Sequence, residues 1–100
     1  MKIMKIGFIG AGNMTQALIK GILESKQIKH TQVYVSNRTP GKLVKLTELY
    51  PGLNTRQYNE EIIDECDIVI LAMKPQDLPA AISEISEKFR DEQIVISLAA

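Results

Sequence analysis

Apolar residues fall along the chain in two rhythms that take turns. Ile3 to Ile9 is a short run rich in β-branched side chains, and Gly10-Ala11-Gly12 stops it, which predicts a strand followed by a turn. From Asn13 the period changes. Met14, Ala17, Leu18, Gly21 and Ile22 recur at three- and four-residue spacing, as on one face of a helix that is expected to end near Ser25. Gln32 to Ser36 reads as a second strand. Thr39-Pro40 then offers a helix cap with proline at the first helical position, Leu43, Leu46, Leu49 and Tyr50 form the apolar face, and Tyr50-Pro51-Gly52 terminates the helix.

Leu53 to Arg56 predicts a weak third strand. Asn59 is expected to cap a short helix with Glu60 and Glu61 in its first turn, where negative charge suits the helix dipole. Ile68 to Met73 is apolar without alternation, the pattern of a parallel strand covered on both faces, and Lys74-Pro75-Gln76 ends it. Leu78, Ile82, Ile85 and Phe89 repeat at helical spacing, and Ile94 to Leu98 gives a fifth strand. Strict β-α alternation with short connections implies a doubly wound parallel sheet of the Rossmann type, about five strands with helices on both faces.

Composition narrows the classes of function. A chain of 100 residues supports one domain around one core. Twelve basic and twelve acidic side chains cancel, which removes any broad field favouring nucleic acid or an anionic membrane, so neither is expected as a partner. Cys66 stands alone and cannot form an internal disulfide. With no charged-then-apolar leader and no long apolar run, the chain reads as cytoplasmic, with Cys66 as a buried small residue. No metal site is expected.

The chemistry concentrates at strand ends. Gly10-Ala11-Gly12-Asn13-Met14-Thr15 follows a predicted strand and opens a predicted helix, the context in which a G-x-G-x-x-G pattern binds a dinucleotide. Gly10 permits the tight turn, and Gly12 leaves the helix-start amides open to a pyrophosphate. Thr15 departs from the glycine or alanine usual at the third position. Its β-branch either pushes the helix outward or its hydroxyl bonds back within the turn.

At the end of the second strand an acidic side chain would accept ribose hydroxyls and repel a 2′-phosphate. This sequence has Ser36-Asn37-Arg38-Thr39 instead, donors suited to a phosphate dianion, with Lys42 one turn on; NADP is therefore expected over NAD, which remains possible. The plainer alternative makes Arg38 a solvated residue and Thr39 only a cap. Ala72-Met73-Lys74-Pro75 and Leu98-Ala99-Ala100 leave strands four and five where the nicotinamide half would lie, although a lysine closing a strand is often merely exposed. His30, in a polar linker, reads as a surface residue.

Ile6-Gly7-Phe8-Ile9-Gly10-Ala11-Gly12-Asn13-Met14, Ser36-Asn37-Arg38-Thr39, Leu71-Ala72-Met73-Lys74-Pro75-Gln76 and Ile96-Ser97-Leu98-Ala99-Ala100 together resemble the amino-terminal domain of the pyrroline-5-carboxylate reductase family, across almost the entire chain. That resemblance implies NADPH- or NADH-dependent reduction of 1-pyrroline-5-carboxylate to proline, the last step of proline synthesis. It further implies cofactor contacts at Gly10 to Thr15, Ser36 to Arg38, Asn59, Ala72 to Pro75 and Leu98 to Ala100. In that family a helical second half forms the dimer and supplies most of the imine pocket. Residues 1–100 are accordingly expected to be the dinucleotide-binding domain alone, unable to turn over substrate without that half, and the catalytic residues are not assignable from this stretch. Two other readings compete. One is a β-hydroxyacid dehydrogenase, which shares the Asn-Arg-Thr stretch but against which Lys74-Pro75-Gln76 argues; the other is a non-catalytic NADP-binding paralogue of the competence-related kind, which Thr15 keeps open.

Overall fold

The computed structural model describes residues 3–99. Five strands, β1 (Ile6–Ile9), β2 (Val33–Ser36), β3 (Asn54–Arg56), β4 (Ile68–Met73) and β5 (Ile94–Ala99), alternate with helices α1 (Asn13–Glu24), α2 (Pro40–Leu49), α3 (Asn59–Glu65) and α4 (Leu78–Ile85). All pairings are parallel and the sheet order is β3-β2-β1-β4-β5. The chain thus builds outward from β1 in one direction, then returns to β1's other side with β4. That reversal opens a crevice beyond the carboxyl ends of β1 and β4, where open α/β sheets bind ligands.

Two apolar layers sandwich the sheet. Phe8, Val33, Val35 and Ile70 face Ile19 and Leu23 of α1 and Leu43 and Leu46 of α2. Ile9, Tyr34, Val69 and Leu71 face Ile62 and Ile63 of α3 and Ile85 of α4. Adjacent strand residues therefore enter opposite cores, which is why the strand sequences show no polar alternation. At Gly7 the second layer closes on the backbone. A Cβ there would lie 2.4 Å from Ile62 Cγ2 and 2.7 Å from Cys66 Sγ, so only glycine lets α3 approach β1 this closely.

The buried stripe of α1 is shifted from the expected one. Thr15, Ile19 and Leu23 are buried, Leu18 and Ile22 pack at the edge, and Ala17 and Gly21 face solvent. The reason is that Thr15 is tied to Gly10 and fixes the rotation of the helix. The other differences are smaller. β1 begins at Ile6 rather than Ile3, which is 68% exposed. A 3-10 turn over His30–Gln32 precedes β2. Leu49 is exposed, and on α4 Ala81 is buried where Ile82 was expected to be. His30 Nδ1 donates to the Pro51 carbonyl at 2.9 Å and its ring meets Tyr50 edge-on, so it pins a loop.

Long-range polar contacts finish the frame. Arg90 donates from Nη1 to the carbonyls of Ile63 (3.0 Å) and Asp64 (2.8 Å), and Gln93 Nε2 donates to those of Ile63 (2.6 Å) and Cys66 (2.8 Å). These bonds satisfy the carbonyls that a helix leaves open at its carboxyl end, here the end of α3. Arg56 and Glu65 form a two-pronged pair at 2.7 and 3.0 Å that ties β3 to α3. Its hydrogen bond with Arg56 holds the Glu65 carboxyl below the ordinary range. Burial, aided by the charges of Glu65 and Asp67, pushes the Cys66 thiol up to about 12, so it is a protonated core residue rather than a nucleophile.

Two predictions follow from this packing. Gly7→Ala is expected to destabilise the chain by about 1 to 3 kcal/mol through overpacking, measured as a lower urea midpoint with an unchanged m-value. For Glu65 the folded carboxyl titrates below the unfolded one, so its stabilisation is complete above the unfolded value and disappears as pH falls through the folded one. Both side chains are partly solvated, which limits the pair to no more than about 1 kcal/mol. Glu65→Gln should therefore melt below wild type at pH 7, and the gap should narrow as the buffer is taken below about pH 4.

Candidate functional site

β1 ends in a corner whose polar atoms are almost all engaged. Gly10 N–H donates to the Ser36 carbonyl at 2.9 Å, and the Gly10 carbonyl accepts from Thr15 Oγ1 at 2.7 Å. Ala11 N–H donates to Asn37 Oδ1 at 3.2 Å, and its carbonyl accepts from Gln16 Nε2 at 3.1 Å. Thr15, fully buried, therefore bonds back into the turn, the second of the two roles its sequence position allowed. Gly10 sits at φ +103°, and a Cβ on it would meet the Ala72 carbonyl oxygen at 2.6 Å. That position must be glycine for the fold itself.

Gly12 is different, and it bears on whether a diphosphate fits. Its φ of −76° suits any residue, and a Cβ built there meets nothing within 4 Å. Packing gives no reason for glycine, but an approaching anion does. The helix that begins here has no side-chain cap and no acidic residue in its first turn. Intrahelical bonding starts with Gln16 N–H to the Gly12 carbonyl, so the amides of Gly12, Asn13 and Met14 have no carbonyl to reach within the helix. An uncapped positive helix end with an open approach is suited to phosphate.

A cleft of about 230 Å³ opens beside this corner. Ile9 and Gly10 floor it, Asn37, Arg38, Thr39 and Lys42 border it from the β2–α2 side, and Asn59, Met73, Asp77 and Ala81 close it. Arg38 also borders a second hollow of about 320 Å³ that reaches Thr55 and Arg56. Among the described residues Arg38 and Lys42 enter no side-chain hydrogen bond or ion pair, whereas Arg56 is committed to Glu65. Two unspent cations at a strand end without an acid make a fitting seat for a 2′-phosphate.

The remaining sequence candidates are placed as follows. Ser36 is fully buried, and its hydroxyl donates to Asn59 Oδ1 at 2.8 Å, so it orients Asn59 rather than reaching the cleft surface. Asn59 does not cap α3, as its sequence position led one to expect. It is the first residue inside that helix, Tyr58 holds the cap position, and Glu61 Oε1 accepts the Tyr58 N–H at 3.3 Å. Its own side chain is drawn instead toward Ser36 and the cleft. Ala72 is buried against Gly10, and Lys74 and Pro75 are exposed on the loop after β4, apart from the cleft lining. Leu98 packs on the α1 side, Ala99 pairs with Met73 at the end of β5, and Ala100 lies outside the described residues. Sequence reasoning missed Gln16 and Asp77. Gln16 lies outside the fingerprint and acts on Ala11 only because the corner folds back; Asp77, just before α4, makes no side-chain cap bond and enters the cleft lining through the packing of α4 alone.

Fold and corner together define an open, doubly wound α/β domain of the dinucleotide-binding class. The family profile described as "NADP oxidoreductase coenzyme F420-dependent" matches residues 5–100, and the chain belongs to that family. It is 42% identical over 97 residues to pyrroline-5-carboxylate reductase 2 of Bacillus subtilis, covering 96% of the chain and 34% of that relative. It superposes on a pyrroline-5-carboxylate reductase from Coxiella burnetii with a TM-score of 0.87 at 31% identity, over 99% of this chain and 36% of that one. For the Plasmodium falciparum pyrroline carboxylate reductase solved with NADP bound, the TM-score is 0.80 at 27% identity, over 99% and 34% of the two chains. The chain spans about a third of the length of the curated relatives it matches.

Thr15→Val keeps the shape of the side chain while depriving the Gly10 carbonyl of its donor. It is expected to cost about 1 to 2 kcal/mol in urea unfolding, with Thr15→Ser recovering most of the loss.

Proposed function

We propose that this chain is the cofactor-binding part of a pyrroline-5-carboxylate reductase, holding NADPH for the reduction of 1-pyrroline-5-carboxylate to proline. The observation that carries the reading is an unguarded α1 start at Gly12, two residues past the Gly10 that lines the cleft, together with two unspent cations, Arg38 and Lys42, in the lining of that cleft. The relatives named above support the choice of reaction.

In this reading the amides of Gly12, Asn13 and Met14 receive the diphosphate, and Arg38 with Lys42 receives the 2′-phosphate. Asn59, held by Ser36, offers its amide to the adenosine ribose. Met73, with the chain leaving β4 as far as Pro75, and the carboxyl end of β5 border the nicotinamide half. The bound nicotinamide supplies the hydride that adds to the imine carbon, while the imine nitrogen takes a proton. The chain's own part is to fix the cofactor's position at the sheet's edge, where orientation governs the rate. In this reading most of the imine pocket, the proton donor and the subunit contacts come from the two thirds of the relatives' length that residues 1–100 do not span, and these residues bind cofactor without turning over substrate.

Calorimetric titration tests the reading. Wild-type chain is expected to bind NADPH more tightly than NADH. Arg38→Ala should raise the NADPH Kd at least about tenfold, since a hydrogen bond to a charged group contributes about 1.5 to 3 kcal/mol, and should leave NADH nearly unchanged. Equal weakening of both nucleotides would remove the 2′-phosphate assignment. A longer polypeptide carrying this domain and the rest of the relatives' length should oxidise NADPH when given 1-pyrroline-5-carboxylate, and failure to do so would remove the reaction.

A further inference from the structure

The turn after β2 and the corner after β1 are 26 residues apart in sequence, yet one side chain spans them. Parallel register puts them side by side, because Ile9 pairs with Ser36 and the residues that follow each leave the sheet together. Asn37 Oδ1 accepts the Ala11 N–H at 3.2 Å. Asn37 Nδ2 donates to both the carbonyl and the hydroxyl of Thr39, each at 3.1 Å. Both acceptors of that amide nitrogen lie on Thr39, and the amide oxygen, already holding Ala11, would repel an anion.

We infer that Asn37 is a positioning residue that couples the diphosphate corner to the 2′-phosphate turn, and does not itself contact phosphate. The inference rests on the dinucleotide reading above. At one end Asn37 holds Ala11, whose carbonyl Gln16 holds from the other side, and this sets the plane from which the Gly12 to Met14 amides project. At the other end it closes the turn that carries Arg38, residue by residue between Ser36 and Thr39. Loss of the side chain therefore loosens a contact shared by NADPH and NADH, not only the one specific to the 2′-phosphate. An aspartate at the same position keeps the acceptor for Ala11 but has no donor for Thr39, and it places a negative charge beside the 2′-phosphate seat.

The two variants therefore separate the two ends of the tether. NADPH and NADH are titrated calorimetrically into the 100-residue chain and into Asn37→Ala and Asn37→Asp. Asn37→Ala is expected to raise both Kd values by a similar factor, about three- to tenfold, as for loss of one neutral hydrogen bond. Asn37→Asp should recover most of the NADH affinity and none of the NADPH affinity. In nucleotide-free protein, hydrogen exchange at the Ala11 amide should quicken in Asn37→Ala and stay slow in Asn37→Asp, a signal that a general loss of stability would spread over the whole sheet. If Asn37→Ala weakens NADPH alone, the side chain touches the 2′-phosphate and the inference is overturned. If wild type binds both nucleotides and Asn37→Ala binds them as tightly, the coupling fails while the dinucleotide reading stands. Binding of neither nucleotide by wild type overturns both.

Discussion

Parallel pairing of β1 on both of its edges is the constraint from which the rest of the structure follows. Its four residues are matched one to one with Val33–Ser36 on one side and Ile68–Leu71 on the other. β1 and β2 consequently leave the sheet at one level and β4 two residues further on, and the corner at Gly10, the turn at Asn37 and Met73 at the end of β4 border one crevice. The close approach that makes this possible is visible at two glycines. Gly7 admits α3 beneath the sheet, and Gly10 admits the Ala72 carbonyl beside the corner. Either contact, pushed apart by a methyl group, would displace one wall of the site along with the core.

Much of this arrangement could be read from the sequence because it rests on local patterns. Gly10-Ala11-Gly12 between a β-branched run and a helical period, the acid-free stretch from Ser36 to Thr39, and the unbroken apolar run of β4 each specify their element within a few residues. Two departures come from side-chain hydrogen bonds that hydropathy does not register. Hydropathy counts Ala17 and Gly21 into the face of α1, while the real face is set by Thr15, a polar residue buried because its hydroxyl has the Gly10 carbonyl to bond. Asn59 has the composition of a cap, but its oxygen accepts from Ser36, 23 residues earlier. Arg90 and Gln93 close the carboxyl end of α3 from 24 to 30 residues away, and no window of sequence contains both halves of such a contact.

Charge shows the same division between composition and placement. The formal sum is zero, and Arg38, in the turn after β2, and Arg56, at the end of the neighbouring β3, are the same residue type. Arg56 meets two carboxylates and lies 5.0 Å from the centre of the Tyr34 ring, so its charge is spent on holding β3 to α3 and β2. Arg38 meets neither acid nor ring among the described residues and is left with Lys42 on the border of the cleft. What distinguishes them is their place relative to two parallel strands, since Arg56 is the last residue of β3 and reaches Glu65 of α3, whereas Arg38 lies two residues beyond the end of β2. The neutral total thus conceals two cations without an ion-pair partner among the described residues, in the lining of a cleft that holds one acid, Asp77.

The order already present in the corner bears on how such a site works. Binding a flexible loop to a phosphate loses part of the interaction energy to the ordering of the loop. Here the polar groups of Gly10 and Ala11 are each occupied by a partner in the protein, two of them from side chains of α1 and one from Asn37. The amides that remain, at Gly12 to Met14, project from a segment whose backbone is fixed at both ends, by the strand before it and the helix after it. Their dipoles point outward before any ligand arrives, so little reorganisation is left to oppose binding. Thr15 contributes to that fixity in a way glycine or alanine cannot, because neither has a hydroxyl to hold the Gly10 carbonyl. A departure from the commoner fingerprint is, in this chain, an additional restraint on the corner.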